Sequence, residues 1–475
     1  GGGLQVSFSD LTVEDLRIIG NTSTNRGGGV DIQACSPHFK NILISGNMAV
    51  NATGGGVTLY GYDGPTHPIL ENVTITGNQA SEAYGEGGIA FWYGAELTLV
   101  NSIVSGNTPY EIGLTSWGAN TLHVSYSNIE GGMEEGMFFG EDDTVNWGDG
   151  NIDVEPHFID AADDNYNLFA SSRLINVGDP SIIDEDNSRS DMGAYPYLTD
   201  TYEGPIWYVD AALGSDINGV GTNPGIPFAS VQAGLNLARD GDTVMVASGE
   251  YLENVIWPDA TYKTGVQLIG EDENTTIING NNVGRVMTIN EVDATSSISG
   301  FTLTNGNAPI GGGLQVSISD LTVEDLRIIG NTSINRGGGV DIEACSPHFK
   351  NVLISDNTTD LTGGGVTLYG FSGPTHPIFE NVTIIGNQAS DSYGDGGIAF
   401  WYGAELTLVN SIISGNTPHE IGLTSYGANT LFTGVTGKAY KNSIEIIDGI
   451  KAGDLIVIRG NERLRPNQKV QIEGK

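Results

Sequence analysis

The chain has 475 residues, 39% of them hydrophobic and only 16% charged, with 69 glycines. Its 58 acidic residues against 19 basic ones leave a formal charge of −39, a surface that repels nucleic acid and anionic lipid and favours divalent cations and high salt. No run of 18 apolar residues occurs, which excludes a membrane-spanning helix within this sequence, and the two cysteines, Cys35 and Cys345, exclude a disulfide framework.

Taken in order, the first feature is a duplication. Residues 1–122 recur almost unchanged at 311–431, with a one-residue deletion between Met48 and Gly54. Polar positions are copied as faithfully as apolar ones, which packing alone does not require, so the duplication reads as recent. Inside each copy runs a shorter period. Asn21, Asn47, Asn78 and Asn107 close phrases of one kind, such as Ile42-Leu43-Ile44-Ser45-Gly46-Asn47, at spacings of 26, 31 and 29 residues. Such a period means stacked units that bury their core only against neighbours. The phrases alternate apolar with small or polar residues, the pattern of a half-buried strand. A second strand follows each glycine cluster, as in Gly27-Gly28-Gly29-Val30-Asp31-Ile32, Gly54-Gly55-Gly56-Val57-Thr58-Leu59 and Gly87-Gly88-Ile89-Ala90-Phe91. The corner asparagines are placed to form a hydrogen-bonded ladder, and Cys35 and Cys345 read as small buried thiols at equivalent corners.

Three short strands per turn with glycine and asparagine corners describe an all-β chain. The expected class is a right-handed parallel β-helix in two tandem copies, with one short capping α-helix and a small β tail. The "isoleucine-x-Gly-Asn" and "Gly-Gly-Gly-Val" phrases resemble those of bacterial extracellular β-helix repeat proteins of the pectate-lyase-like superfamily, over nearly all of residues 1–432. On this reading residues 1–132 are coils of a first β-helix entered without an N-terminal cap. The sequence reads as a fragment or mature piece, with no signal peptide of its own.

From Gly132 the periodicity fades. Pro156-His157-Phe158, Tyr166-Asn167-Leu168, Ile175-Asn176-Val177-Gly178-Asp179-Pro180 and Asp191-Met192-Gly193-Ala194-Tyr195 are similar to the closing segment of the same family, so 133–203 is expected to be a C-terminal cap. A new domain opens at Pro205. The stretch 230–238 predicts a short amphipathic helix with Ser230 as N-cap and Val231, Leu235 and Ala238 on one face. Residues 204–310 then read as N-terminal cap and first coils, and 311–432 as the second set of repeated coils. After Leu431 the copies part, and 433–475 resembles the last strands of periplasmic adaptor subunits of efflux pumps. The helical hairpin and lipoyl-like domain of such adaptors are missing, so a fusion that supplies a β tail is the simpler reading.

Candidate chemistry is sparse. With Val30/Ile32, Val57/Leu59 and Ile89/Phe91 inward, Gln33, Tyr60 and Trp92 form one outward column, and Glu343, Tyr369 and Trp401 its copy. An aromatic column on parallel coils is a platform for sugar rings, unless neighbouring turns such as residues 62–68 cover it. Asp341 and Glu343 lie two apart on one strand, at roughly 6.6 Å, near the separation of a glycosidase pair. Copy one has Asp31 and Gln33 there, so a solvated acidic face is the simpler reading. The arginines of the coils, Arg17, Arg26, Arg327 and Arg336, suggest no base, and His38, His67, His348 and His376 read as loop residues beside prolines. Two acidic loops, Asp184/Asp186/Asp191 and Asp210/Asp216/Asn218, are candidates for Ca2+, although ordinary Asx turns explain both.

The expected function is a secreted or cell-surface β-helix module, a non-catalytic binder, adhesin or stalk, whose partner is a polysaccharide or cell-surface glycan. The alternative is a polysaccharide lyase or glycoside hydrolase of the superfamily. A transport role rests only on the tail.

Overall fold

A computed structural model describes residues 1–81, 85–114, 118–199, 204–258, 263–391, 394–423, 427–433, 435–436 and 444–448. The chain divides into two compact units, Gly1–Tyr202 and Glu203–Lys475, each a parallel β-solenoid.

In the first unit strands Leu4–Ser7, Val30–Gln33, Val57–Tyr60, Ile89–Trp92, Ile112–Leu114 and Met137–Phe138 lie in one parallel sheet, the first four entered from glycine clusters. The register is unbroken: Leu4 pairs with Val30, Val30 with Val57, Val57 with Ile89, Ile89 with Ile112 and Ile112 with Met137. A second sheet carries the long strands His38–Ser45 and Ile69–Thr76, and a third the short strands Thr22–Ser23, Met48–Ala49 and Gln79–Ala80. Alternation sends Val30, Ile32, Val57, Leu59, Ile89 and Phe91 inward, where they meet Ile44, Ile75 and Leu99 in one continuous buried core. The second glycine of each cluster is required by close approach. A Cβ on Gly55 would stand 2.5 Å from the carbonyl oxygen of Gly87, in the next coil.

The corner asparagines form the expected ladder. Each Nδ2 donates to the next Oδ1, from Asn21 to Asn47 at 2.9 Å, Asn47 to Asn78 at 2.9 Å and Asn78 to Asn107 at 2.8 Å. The same oxygens also accept backbone N–H groups of the preceding coil. The buried carboxylate of Glu111 ends the ladder by accepting from the Asn107 amide at 2.6 Å. A second asparagine column lies along the long strands. Asn41, Asn72 and Asn101 have φ between 50° and 54°, the left-handed region that asparagine tolerates better than most residues. There the long strand bends.

The coils run past residue 132. Met137–Phe138 and Thr144–Trp147 extend two sheets in register, because strand pairing persists where the glycine phrase is lost. The rest of the closing segment then turns back. It forms an antiparallel pair, Phe158–Asp160 with Asn165–Leu168, and residues 156–199 lie along the outer face of the long-strand sheet, where Leu43, Tyr166 and Ala194 pack together.

The second unit opens on Ile206–Val209 and the helix Val231–Leu237. Ser230 is its N-cap, accepting the Ala233 N–H at 3.2 Å, and both oxygens of Glu253 accept the Val231 and Gln232 N–H groups. The helix is not amphipathic as expected. All seven residues are buried, and Gln232 is accommodated by donating to Asn236 and to the carbonyl of Ile256. Coils then stack on Met287–Asn290, Leu314–Ser317, Val340–Glu343, Val366–Tyr369, Ile398–Trp401 and Ile421–Leu423. Asn331, Asn357, Asn387 and Asn416 repeat the ladder. In the tail, Ile444–Asp448 pairs antiparallel with Ile412–Ser414. Most of the adaptor-like stretch, including 449–475, lies outside the described residues.

Candidate functional site

The strand after each glycine cluster points two residues outward. The last one forms the expected column: Gln33 stands beside Tyr60 and Tyr60 beside Trp92, and likewise Glu343, Tyr369 and Trp401. The inner neighbours of that column are Asp31, Thr58 and Ala90, and Asp341, Thr367 and Ala399.

An arginine just before the glycine cluster organises both columns. Arg336 Nε donates to Asp341 Oδ1 at 2.8 Å and its Nη2 to Glu343 Oε2 at 2.7 Å, while the guanidinium carbon lies 3.5 Å from the centre of the Tyr369 ring. Arg26 does the same with Asp31 at 2.7 Å, Gln33 at 2.9 Å and Tyr60 at 3.6 Å. Asp341 and Glu343 are therefore not a solvated acidic face. Asp341 is 0% exposed, because the chain before Gly337 folds back over the strand and carries Arg336 with it. Burial raises the Asp341 carboxyl to about 6 despite the adjacent guanidinium. One arginine thus bridges the two carboxyl groups of the glycosidase-like pair.

The copy-to-copy change at this place is coupled. Gln33 donates from its amide to Asp63, whereas Glu343 accepts from the hydroxyl of Ser372. The carboxylate has moved from the turn to the strand, and the link between them survives. Sequence reading had treated the Gln33/Glu343 difference as the drift of an unconstrained surface. Arg26 and Arg336 appear there only as coil arginines, although their spacing signals the role: each stands five residues before an aspartate and seven before the column residue.

Tyr60 and Tyr369 are half-buried, each with an arginine over its ring, and Trp92 is held by a hydrogen bond from Nε1 to Thr53 at 2.9 Å. Trp92 and Trp401 are likewise half-buried. The open aromatic surface lies beside them. In copy one Tyr93 meets Tyr60 and Tyr62 edge-on at 5.2 Å each, and Tyr62 is 68% exposed. In copy two Tyr402 meets Tyr369 and Phe371 with the same spacings, and Phe371 is 70% exposed. Tyr93 and Tyr402 have φ of 60° and 57°, a turn conformation that disfavours a large side chain.

In each copy a buried carboxyl, Glu86 or Asp395, stands just before the glycine pair that leads into the tryptophan strand. Glu86 is fully buried, and burial pushes it up to about 8 against the opposing effect of the nearby Thr53 side chain. Its side chain occupies the space left by Gly113, as that of Asp395 occupies the space left by Gly422. Asp395 is raised to about 6 by burial and lies 3.7 Å from His419 Nδ1.

The other candidates are engaged locally. His38 and His348 stand in strands, not loops, and pair with Glu71 at 3.1 Å and Glu380 at 3.2 Å. His67 and His376 flank Glu96 and Glu405 at 3.5 and 3.7 Å. Asp191 accepts the N–H groups of Asn176 and Tyr197, Asp186 those of Ser188 and Thr199, and Asp184 that of Asp191. Asp210 accepts from Ala212 and Leu213, and Asp216 from Ala229 and Ser230, while the Asn218 N–H donates to Ser215. These are turn and cap contacts, and among the described residues no group of three or more His, Cys, Asp or Glu has metal-binding geometry. The buried Cys345 thiol donates to the Val316 carbonyl and is pushed up to about 12 by burial, an inert structural thiol.

No family model matches this chain, and no curated protein matches it. Among solved structures, pectin methylesterase from carrot is similar over 50% of this chain and 70% of its own, with 15% identity and a TM-score of 0.32. A likeness of that degree carries no argument about substrate or catalysis.

Proposed function

We propose that the chain is a non-catalytic glycan-binding β-helix module that acts outside the cell or on its surface. The carrying observation is the duplicated, solvent-open aromatic cluster, Tyr62 with Tyr93 and Phe371 with Tyr402, backed in each copy by an arginine-locked tyrosine. Rigid aromatic faces take the apolar face of a sugar ring, and the surrounding carboxylates accept from its hydroxyls. Two such clusters on one chain support avidity for a repeating polymer. Binding is favoured over turnover because Arg336 bridges Asp341 and Glu343, the carboxylate pair singled out in the sequence.

The test is a panel of neutral and acidic polysaccharides with the full chain. Saturable binding is expected without reducing ends or unsaturated products. Phe371→Ala and Tyr62→Ala are each expected to weaken binding by about 1 kcal/mol, and together by more than the sum for a polymeric ligand. Product formation that Glu343→Gln abolishes would move the protein to the hydrolase class.

A further inference from the structure

Two faces of this chain are closely similar in sequence but differ in state. In the first unit residues 156–199 cover the outer face of the long-strand sheet. Asn101 is the centre of that contact: its Oδ1 accepts the Asp179 N–H at 2.5 Å and its carbonyl the Gly193 N–H at 2.7 Å. The amides of Asn101 and Asn72 donate to Ser190 Oγ at 3.0 and 3.3 Å. Thr74 Oγ1 accepts the Ala194 N–H at 2.9 Å, the Arg17 guanidinium donates to the Asp164 carbonyl at 2.8 Å, and Leu43 packs on Tyr166 and Ala194.

The coil residues just named recur in the second unit as Arg327, Leu353, Asn381, Thr383 and Asn410, together with Ile412 for Ile103, whereas the buried Thr76 is replaced by Ile385 and Tyr126, which lies under Arg189, has no counterpart. The copies diverge after Leu431, and of the contacts made by the closing segment only the one to arginine has a substitute within the second unit, where Arg327 donates to Asn274 Oδ1 at 3.2 Å. Asn381 and Asn410 are exposed where Asn72 and Asn101 are buried, and Ile412 is 46% exposed where Ile103 is 1%. Ile385 adds a further apolar side chain to the open face.

We propose that this face of the second unit is a docking surface for a closing segment of the type formed by residues 156–199, supplied by a partner β-helix chain. The required chemistry is fixed by the covered copy. The partner presents a serine hydroxyl between the two asparagine amides, backbone N–H donors to the Asn410 and Thr383 oxygens, a carbonyl to Arg327, and a tyrosine on Leu353. A second copy of this chain is the poorer occupant. Each chain has two such faces and one such segment, so exchange between copies uncovers one face for every face it covers. This surface is independent of the aromatic clusters.

The test is titration of a synthetic peptide of residues 156–199 into the full chain, followed by fluorescence anisotropy, with sedimentation velocity of the chain alone. One equivalent of peptide is expected to bind, to a monomeric chain. Ile412→Asp is expected to weaken it at least tenfold. Arg327→Ala, a surface change that leaves the core intact, is expected to weaken it severalfold, while Phe371→Ala has no effect. The proposal is overturned if no saturable binding occurs, if both face variants bind like wild type, or if the chain alone forms dimers that Ile412→Asp dissolves.

Discussion

Glu86 shows at the residue scale how this fold deals with a misplaced charge. Burial disfavours the charged form of this carboxyl more than its neighbours support it, and so it stays protonated near neutrality. Its folded value, about 8, lies above the ordinary 4.5. The stability associated with this group is therefore fully present below pH 4.5 and is lost as pH rises towards 8, by on the order of 5 kcal/mol across that window. Glu86→Gln keeps the shape and removes the titration. Thermal unfolding followed from pH 5 to 8.5 is expected to show a falling melting temperature for the wild-type first unit and a flatter curve for the variant, which at pH 8 melts several degrees higher. An unchanged slope would show that the carboxyl is solvated. Asp395 occupies the same place with a shorter side chain and a histidine neighbour, so the second unit has less to lose over the same range.

Asn357 belongs to the scale of the element, because its value comes from its rung. It takes the N–H and amide of Asn331 on its oxygen, at 2.9 and 3.0 Å, and gives its own amide to the Ile328 carbonyl and to Asn387. Removing it leaves several buried donors and acceptors unmet, each worth roughly 1–3 kcal/mol. Asn357→Ala is expected to destabilise its unit by about 3 kcal/mol or more, whereas Asn21→Ala, at a half-buried rung of the first coil, is expected to cost about 1 kcal/mol. Denaturant melts of the two variants decide this, and equal effects would mean that the ladder does not act cooperatively along the corner. Neighbouring coils also decide exposure. Leu11 and Leu16 are exposed in the first coil, while the identical Leu321 and Leu326 are buried under Ser297–Thr304, which pairs with their strand.

For the whole molecule the dominant quantity is the charge of −39. Ion pairs absorb little of it, since 19 basic residues face 58 acidic ones, and like charges closer than a screening length of about 8 Å at physiological salt repel. Raising sodium chloride from 10 mM to 500 mM is expected to raise the melting temperature of both units by damping this repulsion. A fall would mean that the exposed pairs, such as Lys40 with Glu71, outweigh it.

By itself the sequence determined the coil. The spacing of Gly-Asn phrases, the period-two alternation and the glycine clusters specify parallel strands, an inward core and a corner ladder, because all of these depend on residues close in the chain and on exact repetition between coils. It also placed Tyr60 with Trp92, and Tyr369 with Trp401, in an outward column of each copy. The tertiary structure alone decided what lies over that column. Arg26 and Arg336 reach across from the preceding turn, Glu86 and Asp395 fill spaces left by glycines in the next coil, and the closing segment runs back over one of two closely similar faces. Each of these is a choice among neighbours that alternation does not encode. Identical residues at Ile103 and Ile412 therefore end in opposite environments, because burial is set by what packs on a side chain and not by the side chain itself.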